Sequence, residues 1–137
     1  KEFKMSKKYR LFISHSWSYH ENYQRVIELI QSQGLDFYDH SVPKNDPIHT
    51  SGTDEELYEA IEDKIIGTSC ILVLAGVYST YSKWIQKEIE IAQKYGKAII
   101  AIEPWASEKT STVVKEAANK IVKWQGKSIV NAIKELG

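Results

Sequence analysis

The sequence has little of several features that define other classes of protein. Its 137 residues include one cysteine, Cys70, so no disulfide can form within the chain. Cys70 lies inside an apolar run, where a small buried side chain is the ordinary role. No apolar run approaches the roughly 20 residues needed to span a bilayer, and there is no secretory signal pattern. We therefore expect a cytoplasmic protein with no membrane partner.

The chain also lacks an excess of positive or negative charge. Lysine plus arginine and aspartate plus glutamate number 18 each, so the formal net charge is zero. A nucleic-acid-binding protein usually shows a basic excess, so we expect no nucleic-acid partner. The remaining composition, 42% apolar and 26% charged, is typical of one globular domain. We expect residues 1–4, which precede Met5, to be a cloning remnant and residues 5–137 to form a single domain.

The order of hydrophobic patterns is strand, helix, strand, repeated along the chain. Short apolar runs predict five strands, at residues 9–14, 35–39, 70–75, 98–102 and 120–124. Apolar residues at three- and four-residue spacing predict helices between them, and residues 128–136 predict a terminal helix. Residues 107–119 are ambiguous, with a short helix at 113–118. Thr53 and Glu56 form a predicted capping box at the start of the second helix.

This alternation predicts an α/β fold in three layers, α/β/α. We expect a flavodoxin-like, five-stranded parallel sheet of order 2-1-3-4-5. Ligands of such sheets bind beyond the carboxyl ends of the strands, at the point where the strand order reverses. The segments that follow the first three strands should meet there, together with the start of the third helix.

Glu88 is the most unusual residue of this region. It follows Trp84 by four residues, so both lie on one side of the third helix, near the apolar stripe that should face the sheet. A solvated pair with a lysine is the ordinary explanation for a helical glutamate, and spacing alone does not decide. The four histidines lack metal-ligand spacing, and no Gly-rich phosphate loop is present, so we expect no metal and no bound cofactor.

Two segments resemble Toll/interleukin-1 receptor (TIR) domains. Residues 12–16, Phe-Ile-Ser-His-Ser, resemble the first-strand box of that family. Residues 82–88, Ser-Lys-Trp-Ile-Gln-Lys-Glu, resemble its third-helix signature, in which glutamate follows tryptophan by four. The segment after the second strand departs from the Arg-Asp-x-x-Pro-Gly box of animal receptors. It is closer to the bacterial TIR-like group that includes the TIR subunit of the Thoeris antiphage system.

The resemblance implies an enzyme that cleaves NAD+ between nicotinamide and ribose, with Glu88 as the catalytic residue. NAD+ would be the substrate rather than a cofactor, and the product would be a cyclic ADP-ribose-type signal in antiviral defence. Implied partners are other TIR domains, through self-association, and an effector protein that binds the nucleotide product. The carboxylate would stabilise positive charge on the ribose, as in glycoside cleavage.

Eight further residues are predicted to bind the substrate. Each has an ordinary structural explanation too: core packing for the buried aromatic residues, and turn or loop roles for the polar ones. They are Phe12, Ser14, Asp39, His40, Ser41, Lys44, Tyr78 and Trp84.

Two other functions stay open at this point. A non-catalytic scaffold would bind other TIR domains and turn over no nucleotide. A nucleoside deoxyribosyltransferase-like enzyme would share the sheet topology and use Glu88 as a nucleophile that carries a covalent sugar.

Overall fold

Strands and helices alternate along the chain as predicted. The computed structural model describes residues 8–14, 20–39, 54–74, 83–103 and 112–137. None of the helices in these ranges is long and apolar enough to cross a membrane. In chain order the elements are β1 (Tyr9–Ser14), α1 (His20–Ser32), β2 (Phe37–Asp39), α2 (Asp54–Ile66), β3 (Cys70–Leu74), α3 (Lys83–Lys94), β4 (Ala98–Glu103), α4 (Thr112–Ala117), β5 (Lys120–Lys123) and α5 (Gly126–Leu136).

The five strands form one parallel sheet of order β2-β1-β3-β4-β5, which confirms the predicted topology. Ser14 is opposite Val73, and Leu74 is opposite Ile102. All five residues of β3 are buried, because helices cover both faces of the central strands. The order reverses between β1 and β3, so the carboxyl ends of these two neighbouring strands mark the expected ligand crevice.

Side chains alternate along each strand and build two separate cores. The first core packs α1 and α5 against one face of the sheet, and the second packs α2, α3 and α4 against the other. On β1, Leu11 and Ile13 belong to the first core and Phe12 to the second. The predicted three-layer α/β/α architecture is therefore confirmed.

Element boundaries differ from the prediction by one or two residues in several places. Strand β2 begins at Phe37 rather than at residue 35, and α5 begins at Gly126 rather than at residue 128. Helix α4 resolves the ambiguous region as six residues. The predicted cap at Thr53 and residues 41–52, which follow the second strand, lie outside the described residues.

Helix α3 ends in a Schellman motif. Gly96 has φ of +66°, a left-handed conformation that glycine adopts without steric cost. Its N–H donates to the carbonyl of Gln93 at 3.2 Å, and the N–H of Lys97 donates to the carbonyl of Ala92 at 2.7 Å. This ending turns the chain directly into β4, as expected from the glycine at that position.

Helices α1 and α5 come close together at Gly126. A Cβ atom built at this residue would lie 2.7 Å from the carbonyl oxygen of Leu29 and 3.2 Å from the Cγ of Gln33. Because a carbonyl oxygen of a helix cannot move aside alone, a side chain at position 126 must push the two helices apart. The absence of a side chain therefore sets the α1–α5 distance.

We expect Gly126→Ala to lower the free energy of unfolding by about 1–2 kcal/mol, since overpacking outweighs the gain in helix propensity. Urea titration measures this change. Gly67→Ala is the matched control, because its nearest neighbour would be the Lys64 carbonyl oxygen at an ordinary 3.9 Å. That variant should stay within about 1 kcal/mol of wild type. Equal stabilities for the two variants would contradict a close helix contact at Gly126.

Candidate active site

The end of β1 directs one polar side chain toward the α2–α4 face of the sheet. Because side chains alternate, Ser14 faces the same side as Phe12. Ser14 is only 2% exposed, although it is the last residue of its strand. Phe12, one pleat earlier, is 1% exposed and packs in the second core. Ser14 therefore lies where the apolar core of this face ends, at the carboxyl end of β1.

Glu88 lies on the side of α3 that faces the sheet. Its neighbours Ile89, Ile91 and Ala92 are buried in the second core, and Glu88 itself is partly buried. The Ser14 hydroxyl donates a hydrogen bond to Oε2 of Glu88. This bond joins the carboxyl end of β1 to the helix that follows the neighbouring strand, β3. Glu88 thus extends toward the end of the sheet, rather than pairing with a lysine at the surface.

Burial raises the pKa of Glu88 to about 7, from an ordinary value of 4.5, because the carboxyl group has lost much of its hydration. The hydrogen bond from Ser14 acts in the opposite direction and favours the ionised form. Within the described ranges no ion pair reaches this carboxylate. A carboxyl group that titrates near neutral pH at the edge of a crevice is typical of functional sites.

Asp39 lies on the opposite face of the sheet. It is in register with Leu11 and follows Phe37 by two residues, and both of these pack in the first core. The hydroxyl of Tyr23 on α1 donates a hydrogen bond to the Asp39 carboxylate. The structure therefore does not bring Asp39 together with Ser14 and Glu88. No sequence pattern indicated the bond between Tyr23 and Asp39.

The other predicted binding residues can be placed only in part. Trp84 belongs to α3, four residues before Glu88. His40, Ser41, Lys44 and Tyr78 lie outside the described residues. Among the residues that are described, no three of histidine, cysteine, aspartate and glutamate are grouped closely enough to hold a metal ion.

Solved structures with this fold come from several bacteria. A conserved protein of Enterococcus faecalis V583 is similar with a TM-score of 0.68 and 12% identity, over 94% of this chain and 99% of that one. The Clostridium botulinum CMP N-glycosidase BcmB has a TM-score of 0.53 and 15% identity, over 91% and 98%. A 3-dehydroquinate dehydratase-like protein of Bifidobacterium longum has a TM-score of 0.51 and 8% identity, over 94% of each chain. At these identities the likeness concerns the fold alone.

Sequence comparison is more specific. No curated protein sequence matches the chain. Residues 12–109, more than half of the chain, match the family model of the Thoeris protein ThsB, TIR-like domain. The match includes both segments that resemble TIR domains, and it therefore contains both Ser14 and Glu88. The chain belongs to the family of TIR-like domains of the Thoeris protein ThsB.

Proposed function

We propose that this chain is a TIR-type NAD+ glycohydrolase or cyclase of antiviral defence. It would cleave the bond between nicotinamide and ribose in the cytoplasm and release a cyclic ADP-ribose-type signal. One observation carries the proposal: Glu88 extends from α3 to the end of β1, where Ser14 donates a hydrogen bond to it. Membership of the Thoeris ThsB family supports a role in defence, and the carboxylate of Glu88 supports cleavage of a glycosidic bond.

The proposed reaction needs a carboxylate and little else. When the C1′–N bond breaks, its electron pair goes to the nicotinamide nitrogen, which becomes neutral. Positive charge then develops on C1′ and the ring oxygen of the ribose. An ionised Glu88 beside this carbon stabilises that charge. Water, or a nucleophilic group of the same ADP-ribose, then attacks C1′ and loses a proton.

The protonation of Glu88 fits this role. With a pKa of about 7, the carboxyl group is largely ionised in mildly alkaline solution. Its partial burial means that few water molecules screen its charge from a sugar in the crevice, so each electrostatic contact is stronger than in water. The same burial would disfavour water as the nucleophile and favour attack by the substrate itself, which gives a cyclic product.

A second candidate is cleavage of a nucleoside or nucleotide N-glycosidic bond. The fold is shared with a CMP N-glycosidase, and that chemistry also develops charge at C1′ of a ribose. In a deoxyribosyltransferase-like version, Glu88 would attack C1′ and carry the sugar as an ester until a base accepts it. The two candidates differ in the leaving group, so substrate choice separates them.

The test is to incubate the purified protein with NAD+ and, in parallel, with CMP. Incubations should cover a range of protein concentrations, because the proposed partners include other copies of the TIR domain. Chromatography with mass spectrometry then identifies the products. We expect nicotinamide and an isomer of cyclic ADP-ribose from NAD+, and no free cytosine from CMP. Release of cytosine without nicotinamide would support the second candidate and contradict the first.

A further inference from the structure

We propose that Ser14 is a positioning residue that holds the Glu88 carboxylate in its reactive orientation, and that it does not bind the substrate itself. The inference rests on the proposed function of Glu88. It replaces the expectation from sequence that Ser14 binds the substrate. Three features of the described residues support it. They are the direction of the Ser14–Glu88 hydrogen bond, the pairing of strand β1 within the sheet, and the second carboxylate oxygen of Glu88, which this bond does not use.

The Ser14 hydroxyl has one proton, and it donates that proton to Oε2 of Glu88. The residue is 2% exposed, so almost none of its surface is available to a ligand in the crevice. A substrate hydroxyl that needed this proton would have to break the bond to Glu88. The serine is therefore better placed to act on Glu88 than on the substrate.

Strand β1 gives the serine a fixed position. It is paired with β2 on one side and with β3 on the other, and Ser14 itself is in register with Val73. Glu88 has several rotatable bonds and is attached to a helix. The hydrogen bond from Ser14 on the paired strand therefore restricts rotation of the Glu88 side chain.

A carboxylate has two oxygens, and Ser14 occupies only Oε2. Within the part of the chain that the structure describes, no other hydrogen bond or ion pair involves the carboxyl group of Glu88. Oε1 is thus the oxygen that a ligand hydroxyl or a developing positive charge can approach. In this proposal Oε2 fixes the orientation of the carboxylate, and Oε1 contacts the ribose.

Charged residues on the elements around α3 do not take over this role. Several of them make other contacts, between Lys87 and the ring of Tyr58, between Lys94 and Glu62, and between Glu103 and the pair Lys115 and Lys123. None of them contributes to the shift of the Glu88 pKa, which burial raises and the Ser14 hydroxyl lowers. Ser14 is thus the polar group that favours the ionised form of Glu88.

The experiment compares wild type with Ser14→Ala and Ser14→Thr. Carbon-13 NMR of the labelled Glu88 carboxyl group, without substrate, gives its titration midpoint. Nicotinamide release gives kcat, KM and the pH profile. In Ser14→Ala we expect the midpoint to rise by about one pH unit and kcat at pH 7 to fall about 10- to 100-fold, with KM changed less than about threefold. Ser14→Thr keeps a hydroxyl and should restore the midpoint.

Thr68→Val is the matched control. Thr68 is also buried, 3% exposed, and its hydroxyl donates to the carbonyl of Ile65 at 2.7 Å. This variant loses a buried hydroxyl at the opposite end of β3, so stability should fall while the Glu88 midpoint stays in place. If Ser14→Ala behaves in the same way, its role is structural and the proposal is wrong.

Two further outcomes are decisive. An increase in KM with an unmoved midpoint would show that Ser14 binds substrate, which overturns the proposal. A shifted midpoint in a protein whose wild type cleaves no NAD+ would remove the proposed function and, with it, the reactive role of the pair, but it would establish the Ser14–Glu88 coupling. The NMR arm therefore separates failure of the coupling from failure of the proposed reaction.

Discussion

Replacing Glu88 with glutamine should lower the rate of nicotinamide release by about 100- to 1000-fold, the usual effect of removing one preorganised group that stabilises charge in a transition state. Glutamine has nearly the same shape and still accepts a hydrogen bond from Ser14, so the site keeps its geometry. What the variant loses is the negative charge beside the sugar. Initial rates from chromatography, with both proteins at saturating NAD+, measure the effect on kcat.

Glu90→Gln is the matched control for this experiment. Glu90 lies two residues further along α3 on the exposed side of the helix. The substitution changes the net charge and the helix composition in the same way, but at a distance from the end of β1. Its rate should stay within about twofold of wild type. Equal rates for Glu88→Gln and wild type would refute the catalytic role of Glu88.

The substitution Glu88→Gln should also change how the free energy of unfolding depends on pH. A folded-state pKa of about 7 lies above the ordinary value of 4.5, so the folded protein holds this proton more tightly than the unfolded chain does. The resulting stabilisation is complete below pH 4.5 and is lost as the pH rises through 7. Between pH 4.5 and 8 wild type should therefore lose about 2–3 kcal/mol that Glu88→Gln does not lose.

Urea denaturation of both proteins at pH 5 and pH 8 measures this difference, because all other titrating groups are common to the two and cancel. Glu62→Gln provides a control that should leave the difference between pH 5 and pH 8 unchanged. Bonds from the Tyr95 hydroxyl and from Lys94 lower the pKa of Glu62, so its contribution is present above pH 4.5 and is lost at lower pH. That contribution should be small, since the group is at the surface. A wild type no more sensitive to pH than Glu88→Gln would show that Glu88 is well hydrated.

Much of the fold follows from local sequence patterns. The continuous apolar run 70–75 predicts a buried strand, and the glycine at position 96 predicts the end of α3; the structure has both, with β3 over Cys70–Leu74. The start of α5 was placed two residues late, because glycine at position 126 is a poor helix former. The glycine lies against the Leu29 carbonyl of α1, which is a tertiary contact that no local pattern records.

In the candidate site, too, local spacing predicted some features and tertiary contacts decided the others. Helical spacing placed Glu88 near the side that faces the sheet, but its partner is 74 residues away in sequence. Only the register between β1 and β3 decides that this partner is Ser14. Asp39 was grouped with the site because it ends a neighbouring strand. Its actual direction, toward Tyr23 and α1, depends on strand pairing, and the order of the strands along the chain does not contain that information.

The separation between Ser14 and Glu88 also has a consequence during synthesis. A ribosome that adds about 5–20 residues per second makes α3 roughly 4–15 s after β1. The carboxylate then receives its serine partner only when β1 and β3 have paired and α3 has docked on the sheet. A nascent chain that ends before α3 therefore has no Ser14–Glu88 pair. Formation of the pair reports that the central part of the sheet is complete.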